Sequence, residues 1–316
     1  MSAAPAIEVE KLCRTFGERT ALQDVSFSVA AGEIFGLLGP NGGGKTTLFR
    51  ILATLLRASS GSARVFGDDV LSQRVAVRNR IGVVFQSPSV DLKLTVAENL
   101  RHQGHLYGLR GAALGKRMEE VLERLGVSDR RKDRVETLSG GLRRRVEIAK
   151  GLLHRPDILL LDEPSSGLDA GVRRDLRNYL QQLREQDGVT VCLTTHFMDE
   201  AESCDRLAIL DRGQLVALGT PEVLKSKIGG DVIVLEAREP ERLRSQIQAR
   251  FGNHINVVNG QVRLERPQGH RFVTDLVEAF PGQIEAVTIA KPTLEDVFIH
   301  ETGHQFWEES HASGAR

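Results

Sequence analysis

The stretch that most constrains this chain is Gly39-Pro40-Asn41-Gly42-Gly43-Gly44-Lys45-Thr46-Thr47. It follows an apolar run, Ile34 to Leu38, and leads into a helix-like segment, Leu48 to Leu52. A strand, a glycine loop and a helix start are the setting in which G-x-x-x-x-G-K-[ST] forms a phosphate-binding loop. Glycines remove the Cβ atoms that would block close backbone approach, and their amides converge into an anion-sized nest. The helix start adds unpaired N–H groups and a positive dipole end. Lys45 is then expected to reach the β- and γ-phosphates and Thr46 to offer its hydroxyl to Mg²⁺. The competing reading, a glycine turn that merely starts a helix, does not need Lys-Thr at that spacing. The loop predicts a nucleoside triphosphate site.

Polar residues at the ends of later apolar runs extend that site. Ile81 to Phe85 reads as a buried strand ending at Gln86, a position from which a side chain can meet a ligand. Ile158-Leu159-Leu160-Leu161 reads as a central parallel strand ending in Asp162-Glu163-Pro164. Two acids there are costly in a core unless they hold a metal or do chemistry. Beside a phosphate loop, Asp162 is expected on the Mg²⁺ side, and Glu163 is placed to accept a proton from an attacking water. Val189 to Thr195 is another buried strand, and it ends at His196. A lone His is more often structural; its place beside two other strand-terminal polar sites favours function.

Between these strands, Thr95 to Leu125 has helical periodicity. Leu138-Ser139-Gly140-Gly141 then opens a helix from Leu142 to Leu153. A hydroxyl, two glycines and a helix start can bind an anion, although Ser-Gly-Gly is also an ordinary capped turn. Arg143, Arg144 and Arg145 behind it read as a solvated stripe unless that turn faces a phosphate. Ahead of the glycine loop, Ile7 to Val29 reads as antiparallel strands about Gly17, with Phe16 read on spacing alone as a core aromatic.

The chain has 316 residues, enough for about two domains. Lys plus Arg balances Asp plus Glu, 42 against 42, so the global basic footprint of a nucleic-acid binder is absent. Cys13, Cys192 and Cys204 lack metal-ligand spacing and fit a reducing compartment. The first six residues lack the pattern of a signal peptide, and no apolar run approaches a membrane span. A membrane role would therefore require another chain.

Gly229-Gly230 reads as a boundary, giving domains 1–228 and 229–303 with a polar tail, 304–316, expected to be mobile. Beyond the boundary the order is strand, helix, strand, strand, helix, strand, which is ferredoxin-like. It contains no glycine loop or cluster of catalytic residue types, so an accessory role is expected.

Taken together, Gly39 to Thr47, Gln86, Leu138 to Gly141, Leu161 to Pro164, Ser165 to Asp169 and His196 resemble, in order and spacing, an ABC transporter ATP-binding subunit. They look like its Walker A, Q-loop, signature, Walker B, D-loop and H-loop. The resemblance covers about residues 7 to 225, and Thr293 to Gly303 is similar to the tail of the drug-exporter branch, including daunorubicin-resistance subunits. It implies an α/β P-loop cassette: a parallel-sheet ATPase core, antiparallel N-terminal strands and a helical signature subdomain at about residues 90 to 155. It also implies ATP and Mg²⁺ as cofactors.

Two copies, expected as a homodimer, would pack head to tail with ATP between the phosphate loop of one and the signature turn of the other. By this resemblance Ser139, Gly140 and Gly141 contact the γ-phosphate held by the partner's loop, and Asp169 communicates across the dimer. Gln86 senses Mg²⁺ and a separate transmembrane permease subunit. His196 holds the γ-phosphate and positions Glu163, and Phe16 stacks on adenine. The implied place is the cytoplasmic face of the membrane, as a peripheral subunit engaged in export.

Three residues depart from the family pattern. Leu142 stands where Gln is usual, Phe16 where Tyr is common, and Gly43 where Ala or Ser is usual; the last is expected to loosen the loop slightly. Two other readings compete. A DNA-repair or translation ATPase with this cassette would usually carry coiled-coil insertions or two cassettes in one chain, and would show a basic footprint. A P-loop kinase acting on a small molecule would need neither Ser139-Gly140-Gly141 nor His196.

Overall fold

The computed structural model describes residues 4–252 and 255–306, so the expected tail from Trp307 onward lies outside the described residues. The chain divides into two compact units between Leu215 and Val216.

The first unit opens with β1 (Ile7–Phe16) and β2 (Arg19–Val29), antiparallel about the left-handed Gly17, and then β3 (Ile34–Leu38). Helix α1 (Lys45–Leu52) follows the glycine loop, and β4 (Ser60–Val65), β5 (Asp68–Asp69), α2 (Arg74–Arg80) and β6 (Ile81–Val84) come next. Strands β2, β1, β4 and β5 form one antiparallel sheet in that order. The alternation of buried and exposed residues along β2 marks a sheet with one covered face.

The region expected to be one helical stretch, Thr95 to Leu125, is two helices, α3 (Val96–Leu106) and α4 (Gly111–Arg124). Gly108, at φ 76°, lies in the break, where a left-handed conformation suits a residue without Cβ. Thr95 and Glu98 form a reciprocal capping box that fixes the start of α3. With α5 (Gly140–Leu152), these helices bury Leu100, Leu114, Met118, Val121, Leu122 and Val146 in the main core. Truncating a leucine there to alanine costs roughly 2–5 kcal/mol.

The chain continues through β7 (Ile158–Asp162), α6 (Ala170–Asp187), β8 (Thr190–Thr195), α7 (Met198–Ala201) and β9 (Arg206–Asp211). The order β9-β3-β8-β7-β6 makes a parallel core sheet, with β10 (Gln214–Gly219), in which the division falls, at its edge. Strands β3, β7 and β8 are buried throughout, as befits central strands of a parallel sheet covered on both faces. Parallel strands end on the same side. The register therefore sets the residues after Leu38, Val84, Asp162 and Thr195 along one edge of the sheet.

The second unit holds the rest of β10, α8 (Pro221–Ser226), β11 (Asp231–Ala237), α9 (Pro240–Phe251), β12 (Ile255–Val258), β13 (Gln261–Arg266), α10 (Gly269–Ala279), β14 (Ile284–Ala290) and α11 (Leu294–Thr302). Its antiparallel sheet has the order β12-β13-β11-β14, a split βαβ topology. Ile233, Leu235, Val262 and Leu264 pack on Leu243, Ile247, Leu276 and Phe280. The division falls earlier than Gly229-Gly230 because α8 belongs with α11: the two helices pack together, and Lys227 lies 3.8 Å from Glu301.

Candidate active site

The loop between β3 and α1 is held by close backbone packing. A Cβ on Gly39 would fall 2.3 Å from the Leu210 carbonyl oxygen, and one on Gly44 (φ 101°) would fall 2.7 Å from that of Ala21. Gly43 is held on both sides. Its N–H donates to the Pro40 carbonyl (3.2 Å), its carbonyl accepts from Gly213 N–H (3.1 Å), and a Cβ there would sit 3.1 Å from Leu210 O. Lys45, 4% exposed, donates from Nζ to the carbonyls of Gly39 (2.6 Å) and Pro40 (3.0 Å) and lies 3.7 Å from Glu163 Oε1. Burial lowers its pKa, against the opposing pull of Glu163 and Asp162.

Three strand ends, those of β6, β7 and β8, meet at Glu163. Its Oε2 accepts from Gln86 Nε2 (3.0 Å) and Ser166 Oγ (3.0 Å), and His196 Nδ1 lies 3.2 Å away. Glu163 itself sits at φ 46°, a costly conformation for a residue with a Cβ. Its N–H donates to Thr194 Oγ1 (2.9 Å), and the same hydroxyl donates to Asp162 Oδ1 (2.6 Å), so one threonine serves both acids. The two carboxyls are pushed apart. The His196 imidazole beside it holds Glu163 below its ordinary value, whereas burial raises Asp162.

A cavity of about 520 Å³ opens over the loop, lined by Phe16, Arg19, Lys45, Thr46, Thr47, Arg50, Gln86 and Glu163. That volume suits a small-molecule ligand. Phe16 is not a core aromatic. It is 45% exposed at the end of β1, with the Arg14 guanidinium 4.4 Å over its ring.

The signature residues lie elsewhere. Ser139 is exposed and caps α5, its hydroxyl accepting from Leu142 N–H (3.4 Å). Gly141 is needed because a Cβ would fall 2.7 Å from Val172 Cγ1. Asp169, also exposed, caps α6 through the Val172 N–H (2.9 Å), so both turns adjoin at Val172. Ser139, Gly140, Gly141 and Asp169 are not among the residues lining the Lys45 cavity. Leu142 packs partly buried against the main core.

Sequence reasoning missed several neighbours. Ser166 and Thr194 are small polar residues inside stretches already singled out, with no pattern to mark their partners. Arg144 is the larger miss: it is 8% exposed, not part of a solvated stripe. Among the described residues no helix is long and apolar enough to cross a membrane, and no group of three or more His, Cys, Asp or Glu side chains is placed to hold a metal.

A strained acid beside a phosphate loop at the carboxyl edge of a parallel sheet defines a P-loop ATPase. The family profile described as "ABC transporter" matches residues 22–166. The chain is 35% identical to the linearmycin resistance ATP-binding protein LnrL of Bacillus subtilis, over 94% of this chain and 98% of that one. It is 38% identical to the daunorubicin/doxorubicin resistance ATP-binding protein DrrA of Streptomyces peucetius, over 95% and 93%. Among solved structures it is similar to the dimeric MJ0796, a bacterial ABC transporter cassette, with a TM-score of 0.62 and 28% identity over 68% of this chain and 98% of that one. The chain belongs to the ATP-binding subunits of ABC transporters, which are ATPases.

Proposed function

We propose that Glu163 is the base of ATP hydrolysis and that the surrounding residues divide the remaining work. The observation that carries this is the meeting of Lys45, Gln86, Ser166 and His196 on one carboxylate at the mouth of the phosphate-loop cavity. Lys45 holds the β- and γ-phosphates together with the backbone N–H groups of Asn41, Gly42, Gly44, Thr46 and Thr47, while Gly39, Gly43 and Pro40, which has no N–H to offer, shape the loop around them. His196 orients Glu163 and contacts the γ-phosphate. Glu163, kept ionised, takes a proton from the attacking water. Phe16 offers an exposed ring to the adenine.

Mg²⁺ suits the donor set. Thr46 hydroxyl, Asp162 carboxylate and Gln86 amide are hard oxygen donors with a single carboxylate, the kind of partial shell that phosphate oxygens complete. When bound, the ion neutralises charge building on the transferred phosphoryl group.

The exposed Ser139, Gly140 and Gly141 contact nucleotide held by a second copy, and Asp169 lies at that interface. The chain then works as a homodimer on the cytoplasmic face of a membrane, driving a separate transmembrane permease subunit. The resistance names of its relatives favour export, and the balanced charge speaks against a nucleic-acid partner. The test is Glu163→Gln. Nucleotide binding should persist while steady-state hydrolysis falls by roughly 100-fold or more. Hydrolysis at the unsubstituted rate would remove Glu163 from the role of base.

A further inference from the structure

Three consecutive arginines on α5 reach in three directions. Arg143 donates to the carbonyls of Val135 (3.1 Å) and Glu136 (2.7 Å), and Arg145 to the carbonyl of Leu125 (3.2 Å) and to Asp175 (3.1 Å). These two tie the helix to its neighbours. Arg144 alone turns toward the site. Its Nη1 donates to the Phe85 carbonyl (2.7 Å), Nε to that of Pro164 (3.0 Å) and Nη2 to that of Asp162 (3.2 Å). Phe85 precedes Gln86, and Asp162 and Pro164 flank Glu163. One buried guanidinium therefore grips the backbone on both sides of the hydrogen bond between Gln86 and Glu163.

Glu147, 4% exposed, completes the device. Its Oε2 accepts from Arg144 Nη1 (2.8 Å), and its Oε1 accepts from Ser89 N–H (2.8 Å), beyond Gln86 in the chain. The buried charge is thus paired, and the fork is aimed by its partner. A left-handed glutamate persists only where its surroundings over-determine it. Around Glu163 that constraint comes from Thr194 on one side and from Arg144, through the two flanking carbonyls, on the other.

We propose that Arg144, aimed by Glu147, is a positioning residue for ATP hydrolysis that holds Gln86 and Glu163 in their reactive arrangement from behind. It also ties that arrangement to α5, the helix that Ser139 caps and Gly140-Gly141 open. The phosphate loop, built on β3 and α1, is untouched by it. Arg144 should therefore govern turnover and leave nucleotide affinity alone. This inference rests on Glu163 acting as the base.

The test uses the full-length chain in four forms: Arg144→Met, Arg144→Met/Glu147→Gln, Arg145→Met and Glu163→Gln. The double variant removes the carboxylate charge that Arg144→Met strands in the core, and it is the form to read if the single variant does not fold. Nucleotide affinity is measured directly by fluorescent ATP binding, beside kcat and KM. A backbone misplacement of about 1 Å can cost on the order of 100-fold, so the Arg144 forms should lose at least about tenfold in kcat. Affinity and KM should stay within about twofold, and Arg145→Met should keep kcat within about twofold. An unchanged kcat in the folded double variant, a loss carried by affinity, or an equal loss in Arg145→Met would each overturn the proposal. Normal hydrolysis by Glu163→Gln would sink the base assignment and this inference together. An inactive Glu163→Gln beside a fully active Arg144 variant would sink this inference alone.

Discussion

The two glycine turns of the first unit, one at Lys45 and one at Ser139, are built alike and finished differently. Both are glycine turns that open a helix. At Lys45 the glycines press on backbone from other strands, the lysine is 4% exposed, and the Glu163 beside it gathers partners from three strand ends. At Ser139 the hydroxyl does no more than cap its own helix, and the turn faces solvent. Among the described residues, one turn finds its partners within the chain and the other does not. An exposed turn with strict demands, such as the glycine against Val172, makes sense where a second molecule supplies what is missing.

That contrast can be broken by substitution. On the closed side, Lys45→Ala removes a charged contact, and nucleotide affinity measured by equilibrium binding should fall by roughly 10- to 100-fold. A loss below twofold would show that the loop amides hold the phosphates without it. On the open side, Ser139→Ala should leave the affinity of the isolated subunit unchanged and lower kcat by about tenfold, since its target lies on another chain. If affinity fell as well, the turn would be serving its own chain's nucleotide and the contrast would fail. Kinase chemistry at this loop would make no use of Ser139, so full activity in this variant would reopen that reading.

A smaller effect is expected at Phe16. Its exposed ring offers stacking, and Phe16→Ala should cost about 1 kcal/mol of nucleotide affinity, roughly fivefold, with Phe16→Tyr unchanged. Equal affinities for ATP and GTP in both variants would fit stacking; a change of base preference would point to another contact. Smallest is a pH effect at the closed site. His196 is the main cause holding the Glu163 carboxyl below its ordinary 4.5. A depressed carboxylate stays ionised to lower pH, so the acid limb of kcat should shift to higher pH in His196→Ala. A limb that does not move would uncouple the two residues.

The same contrast explains what could be read from the chain. The Gly39–Thr47 loop was legible because its backbone geometry admits few residues. Gln86, Glu163 and His196 were legible as polar ends of buried strands, and the parallel register brings them to one edge. In the second unit, alternating strands announced βαββαβ, while α11 was seen only as a resemblance to a tail and not as a capped helix. Arg144 could not be read. An arginine on an amphipathic helix looks solvated until the carbonyls it meets, just after β6 and around the end of β7, are known. Phe16 misled for the converse reason, since spacing cannot tell an aromatic in the core from one at a rim. The break at Gly108 was also hidden, because both helices keep the same apolar phase.

If two incomplete halves make one site, the solution mass of Glu163→Gln with and without nucleotide reveals it. With the proposed base removed, nucleotide should stay trapped in whatever arrangement binding creates. The mass should be that of one chain without nucleotide and should double only with Mg-ATP. A single-chain mass under both conditions, with ATP demonstrably bound, would contradict a site shared between two copies.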